Sequence, residues 1–236
     1  MRARPVRLLV GIAAAAVAAF AGAYFLFFTP DSPDPLTLSQ NPGTTAADGT
    51  GAVATGDLAG LWTVASGSEA RYRAQEKLAA LPARSEAVGR TSALTGQVRL
   101  DDIGGAVTAT EARFEADLTQ LRSDDQRRDN RIRTQGLESG RFPTATFVAT
   151  EPLRVPGLPP AGQPAQVSAV GDLTIHGVTK RVTIPIEGQL LGDRIELVGA
   201  LEFPMSDFGI SPPNIAGFVT VEPDVTLEFK LVLSRT

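Results

Sequence analysis

Cysteine is absent from the 236 residues. That removes disulfides, thiolate metal sites and thiol nucleophiles together, and leaves the compartment undecided. Histidine occurs once, at His176, so a histidine-rich metal centre is excluded as well. A Ser-His-Asp relay would need that one ring as its base, and no nucleophile-elbow sequence accompanies it. Lysine is confined to Lys77, Lys180 and Lys230, an arginine bias that reads as genomic composition. With a net charge of −4 there is no nucleic-acid footprint. No glycine-rich loop precedes a helix in the way a phosphate cradle requires. Adjacent acids occur as Asp101-Asp102 and Asp124-Asp125, where a turn and a helix N-terminus account for them. Glycosidase-type chemistry would instead need two carboxyls facing across a cleft. The expectation is a protein with no catalytic residues, no metal and no cofactor.

What is present begins with Arg2, Arg4 and Arg7, followed by an uncharged apolar run from Leu8 to Phe28. At about 1.5 Å per residue such a run can cross a bilayer core. The basic flank places residues after Phe28 outside the cytoplasm. Residues 1–28 are therefore expected to be a single-pass signal-anchor in the cell membrane. The rival is secretion after cleavage near Ala19-Phe20-Ala21, which would expose Tyr24 to Phe28 beside a new N-terminus. Residues 29–56 are rich in Pro, Gly, Ser and Thr and bury little, so a flexible linker is expected there. Residues 57–236 form the folded domain. Its apolar content is sufficient for a core: the whole chain is 43% hydrophobic and 20% charged.

Within that domain the dominant period is two. Val225, Leu227, Phe229, Leu231 and Leu233 alternate with polar neighbours, as do Ile195, Leu197, Gly199, Leu201 and Phe203. Ala112, Phe114, Ala116 and Leu118 form another set, and Val167, Ala169, Gly171, Leu173 and Ile175 a further one. Strands with one apolar and one wet face read this way, and antiparallel sheets tolerate them. Gly104-Gly105, His176-Gly177 and Gly192-Asp193 mark reversals. About eight antiparallel strands are expected, in a sandwich or a closed barrel. The polar stretch Ser123 to Ser139 breaks the period. It predicts a short helix with Ser123 as N-cap and pairs Asp124–Arg128 and Asp129–Arg133. His176, in polar phase, is expected to face solvent. Inward positions are often small: Ala109, Ala112, Ala116, Ala145, Ala149, Ala169 and Gly171. A barrel with such walls can stay hollow and hold one apolar ligand, although the same alanines would also suit a solid core.

Two stretches resemble the YceI family of bacterial periplasmic or secreted proteins. One is Arg127-Arg128-Asp129-Asn130-Arg131-Ile132-Arg133 followed by Arg141-Phe142-Pro143-Thr144-Ala145-Thr146-Phe147. The other is Gly171-Asp172-Leu173-Thr174-Ile175-His176-Gly177-Val178-Thr179-Lys180-Arg181-Val182-Thr183. Thr95-Gly96-Gln97-Val98 and Ser206-Asp207-Phe208-Gly209-Ile210 are weaker echoes, and the similarity runs from Leu61 to Ser234. The resemblance implies a lipocalin-like antiparallel barrel whose apolar interior takes polyisoprenoid or quinone-type lipids without catalysis. Glu76 stands where the family often has histidine, Arg131-Ile132 where it often has His-Leu, and Gly136-Leu137 where Asp-Phe is common.

Together these give Phe114, Leu118, Phe147, Leu173, Ile184, Leu197, Phe203 and Phe229 as candidate lining residues. Arg127, Arg128 and Arg131 are candidates for a pyrophosphate or carboxylate head, because guanidinium suits such groups. The expected partners are an apolar lipid and, through residues 1–28, the membrane; nucleic acid is not among them, and no oligomeric state follows. The alternatives are an envelope stress or interaction protein with a filled barrel, and a carboxylate-dependent hydrolase or isomerase. The stretch Pro204 to Gly217 is long for a hairpin loop and a candidate gate.

Overall fold

Among the described residues, alternating side chains and tight glycine turns build twelve strands in one antiparallel sheet. In the computed structural model, residues 32–40, 58–78, 84–155, 163–215 and 219–236 are described. The strands are β1 (Gly60–Val64), β2 (Glu69–Leu78), β3 (Arg84–Thr91), β4 (Leu94–Ile103), β5 (Ala106–Asp117) and β6 (Thr144–Ala149). They continue with β7 (Leu153–Arg154), β8 (Ala165–Ile175), β9 (Val178–Leu191), β10 (Arg194–Pro204), β11 (Asn214–Ile215) and β12 (Val219–Arg235). The long β12 decides between sandwich and barrel. One edge pairs with β10, from Pro204↔Asp224 to Arg194↔Ser234. The other edge pairs first with β2 and then with β1. β1 and β2 are thus successive halves of one strand position, and β4 and β3 pair with them as the next. β6 and β7 share the far edge of β5. Among the described residues eight positions remain, and they close into a ring through the pairing of β12 with β1; β3 ends the strand order, its far edge met only by the single bridge from Arg90 to Arg122. The ladder between β12 and β2 shifts between Val221 and Val225, where Pro223 has no N–H to donate.

The expected reversals are all hairpins. Gly104 and Gly105 join β4 to β5, and Gly192 joins β9 to β10, all at positive φ. His176 and Gly177 join β8 to β9, with His176 itself at φ 52°. The ring of His176 does not face solvent as its phase suggested. Its Nδ1 donates to the Phe208 carbonyl at 3.2 Å and its Nε2 lies 2.9 Å from Glu138 Oε2. Phe142 packs edge-on at 4.5 Å. The left-handed backbone turns the side chain back over the barrel end, so the histidine ties three chain segments together.

The polar helix, α1 (Gln126–Arg131), is shorter than expected and runs into a wider turn at Ile132–Gly136. Its N-cap is Asp125, not Ser123: Asp125 Oδ1 accepts from Arg127 N at 2.7 Å. Ser123 donates instead, through N and Oγ, to buried Asp129 at 2.8 and 2.7 Å. Asp129 is therefore turned away from the Arg133 partner that its spacing suggested, whereas Asp124 does pair with Arg128.

Residues 1–28 lie outside the described residues, as do most of 29–56. Among the described residues no helix is long and apolar enough to cross a membrane. Part of the stretch expected to be a flexible linker is held against the barrel's outer wall. Ser39 donates through N and Oγ to Glu196 at 2.9 Å each, and its carbonyl accepts from Gln189 at 2.8 Å. Lys230 donates to Ser39 Oγ at 2.8 Å, and Arg71 to the Asp34 carbonyl at 3.0 Å. Glu196 is only 5% exposed. Burial alone would raise its carboxyl, but the two Ser39 donors, Gln189 and the Lys230 charge outweigh it and hold the group below its ordinary value. A carboxylate lowered in the folded state adds stability above its unfolded value, about 4.5 here, and loses it as pH falls through the folded one. Glu196→Gln is expected to cost about 1.5–3 kcal/mol at neutral pH, the worth of hydrogen bonds to a charged group. Melting curves should also show the variant losing less stability than the parent between about pH 5 and pH 3. Equal acid sensitivity would mean that Glu196 does not hold the segment.

Candidate functional site

Inward residues of the eight strand positions enclose three adjoining chambers. The first, about 160 Å³, lies toward Leu58, Val98, Leu100 and Leu233. The middle one, about 110 Å³, shares Phe114, Phe147, Ile186 and Leu197 with it. The third, about 160 Å³, lies under α1 and shares Ala70, Ala116, Ala145 and Leu227 with the middle one. Shared walls make this one elongated apolar interior. An apolar cavity of about 150 Å³ stays dry and admits a benzene-sized guest, so these volumes suit segments of a hydrocarbon and not a column of water.

The space exists because of side-chain size. Ala109, Ala112, Ala149 and Ala169 line the first chamber, and Ala116 and Ala145 the other two. Two glycines keep rings from filling it. A Cβ on Gly171 would stand 2.4 Å from the Phe147 ring, and one on Gly199 2.5 Å from the Phe229 ring. Each ring therefore lies back against the wall over a glycine. All eight expected lining residues are on these walls. Phe114, Phe147 and Leu197 bound the first and middle chambers, and Leu173, Ile184 and Phe229 the middle one. Leu118 and Phe203 bound the third.

The three arginines are not brought together. Arg127 is exposed and Arg131 half-buried, and neither is among the wall residues; Arg128 is. Its Nε and Nη2 donate to Glu76 at 3.2 and 3.1 Å, and Nη1 reaches Asp124. These two carboxylates hold the Arg128 guanidinium above its ordinary value against the cost of burial. Glu76 is thus the ion-pair partner of Arg128. Among the described residues no group of three or more His, Asp or Glu side chains is placed to hold a metal ion.

Sequence reasoning missed Tyr72, Ala74 and Glu76 of β2, which line the third chamber with Met205 and Ile210. The signal was there: Ala70, Tyr72, Ala74 and Glu76 alternate with Arg71, Arg73, Gln75 and Lys77. A glutamate in the inward phase hid the pattern. The candidate gate is a packed end-cap over its described residues. Met205–Phe208 form one 3-10 turn, with Met205, Phe208 and Ile210 buried, and β11 pairs with the start of β12.

Known proteins match this architecture. A UPF0312 protein of Vibrio vulnificus is 30% identical over 141 residues, 57% of this chain and 70% of its own length. One from Shewanella denitrificans is 31% identical over 150 residues, 60% and 73% of the two chains. Among solved structures, a polyisoprenoid binding domain from Saccharophagus degradans, described as implicated in plant cell wall breakdown, has a TM-score of 0.59. That match covers 74% of this chain and 98% of that one at 19% identity, which speaks for the fold. BcnA of Burkholderia cenocepacia matches with a TM-score of 0.51 at 22% identity over 70% and 95% of the chains. The model of the YceI-like domain matches residues 62–233, nearly the whole barrel, and the chain belongs to that family.

Proposed function

We propose that this protein binds or carries a long apolar lipid of polyisoprenoid or quinone-like type in its barrel, without catalysing a reaction on it. The observation that carries this reading is the run of three apolar chambers with shared walls. A hydrocarbon tail gains about 0.8 kcal/mol for each CH₂ it buries, so the tail needs no specific hydrogen bonds. A polyisoprenoid-binding domain of the same fold supports the same class of ligand. Binding is favoured over hydrolysis at the end under α1, where the carboxylate of Glu76 is committed to Arg128. The polar head sits at that end, beside Arg128, and the tail runs toward Leu233. The basic flank and apolar run of residues 1–28 tether the barrel to the outer face of the cell membrane.

Native mass spectrometry of the full-length chain, followed by organic extraction, tests this. The expected result is an added mass of one lipid per chain that partitions into the organic phase. A clean apo mass, with an apolar dye unable to enter the barrel, would sink it.

A further inference from the structure

We propose that the basic outer side of α1, continued by Arg122 and Arg90 on the neighbouring wall, docks on the anionic head groups of a phospholipid bilayer, so that the roof of the third chamber meets the membrane. The contact stands on charge and placement. The use given to it, loading and unloading of the lumen, rests on the reading above.

Two arginines face each other with no acid between them. Arg90 and Arg122 exchange both backbone hydrogen bonds, at 2.8 and 2.9 Å, in the single bridge between β3 and the chain leading into α1. Residues paired in this way hold their Cβ atoms about 5 Å apart, where like charges repel. Both side chains are exposed. Arg122 Nη1 donates to the Thr119 and Leu121 carbonyls. Neither guanidinium has a carboxylate within ion-pair distance among the described residues. An anion arriving from outside relieves the repulsion, and guanidinium forks match phosphate oxygens.

The stretch from Arg122 to Arg141 continues the surface. It holds six arginines against four acids, in a chain whose net charge is −4. The acids are engaged: Asp124 pairs with Arg128, Asp125 caps the Arg127 N–H, buried Asp129 accepts from Ser123, and Glu138 meets His176. Of the arginines, only Arg128 has carboxylate partners among the described residues. Arg127 and Arg133 are exposed and Arg131 is half-buried. The same segment turns Ile132, Gly136 and Leu137 to the chamber. An apolar inner side and a basic outer side suit a segment that rests on a membrane interface. The tether reaches this surface too: Arg71, which pairs with Arg90 across β2 and β3, donates to the Asp34 carbonyl. An acidic protein would match the charge equally well; the apolar chamber directly beneath favours a lipid surface.

Because the chain has no cysteine, one fluorophore can be attached at Gln135→Cys, exposed on the turn after α1. A second sample carries it at Ile103→Cys, 53% exposed at the far end of the β4–β5 ladder. The full-length protein is reconstituted in phosphatidylcholine vesicles with or without phosphatidylglycerol, and quenching by a nitroxide head-group lipid is read at low salt. Phosphatidylglycerol should raise quenching at Gln135→Cys by at least about threefold, well within what one arginine supplies, and leave Ile103→Cys unchanged. The rise should vanish at about 1 M salt, where charges are screened within about 3 Å. Each arginine near an anionic surface is worth about fivefold in the docked population. Arg122→Gln, Arg127→Gln and Arg131→Gln together should therefore lower it roughly a hundredfold, whereas lysine at the same three positions should preserve it. Quenching at Gln135→Cys that ignores phosphatidylglycerol, or that survives the three glutamines, would overturn the proposal. A response to a soluble polyglutamate peptide but none to phosphatidylglycerol would overturn it too, and give the surface to an acidic protein. Lipid extracted from the same samples reports the lumen separately: its absence would remove that reading and leave the docking result standing.

Discussion

Replacing Ala145 with phenylalanine should empty the barrel of the lipid proposed for it and leave the barrel standing. Ala145 lies on β6, opposite Ala116 of β5, where the middle chamber and the one under α1 share a wall. A phenyl ring is about the guest that a 150 Å³ cavity accepts, so a ring attached here takes up most of the 110 Å³ middle chamber. It enters space and not packed atoms, so the overpacking penalty of a solid core does not arise. Filling a cavity commonly adds about 0.5–2 kcal/mol, which for a domain of this size raises the melting temperature by roughly 1–8 °C. The lipid mass recovered by native mass spectrometry should fall more than tenfold. Ala200→Phe is the control, because Ala200 is exposed on the outer face of β10, and its lipid load should match the parent. Undiminished lipid in Ala145→Phe would mean that the tail does not pass the middle chamber. A collapse in melting temperature would mean that the chamber closes in solution and the hollow is not real.

The parts legible in the sequence were those set by a local rule. Alternation over Val225–Leu233 and Ile195–Phe203 placed every inward side chain correctly, because a strand's period is fixed at two whatever surrounds it. Gly192 and Gly104 announced their hairpins because positive φ is cheap for glycine. What escaped depends on contacts distant in sequence. His176 read as a wet turn residue because nothing near it reveals that Glu138 and Phe208 approach from two other segments. The inward role of Glu76 was not read because its partner Arg128 is 52 residues away. Residues 34–40 have the composition of a linker, yet Ser39 meets a Glu196 more than 150 positions later. Ser123 was a sound cap by propensity, but Asp125 two residues on serves equally well, and Asp129 captured the serine. The hollow itself was half legible. The alanines were visible, but the pairing of Gly171 with Phe147 and Gly199 with Phe229 needs the register between strands.

Phe208→Ala should be the most destabilising single substitution in the end-cap. The ring is 1% exposed and packs edge-on against Phe203, with centroids 4.9 Å apart. The turn that carries it ends at Gly209 with φ 68°, and its carbonyl receives His176 Nδ1. Truncation deletes the ring that supports Met205 and Ile210, the two cap residues on the chamber wall. Losing a buried phenylalanine costs about 3–5 kcal/mol, a large share of the roughly 5–15 kcal/mol that holds a domain folded. At about 2–4 °C per kcal/mol the melting temperature should fall by roughly 6–20 °C. Lipid retention should fall with it, because the wall that opens is the one proposed to enclose the head. Phe208→Leu keeps most of the volume and should recover most of both. The two readouts separate cap from core: a drop in melting temperature with retention unchanged would make Phe208 ordinary packing. A drop of less than about 2 °C would mean that residues 205–210 do not close that end of the barrel.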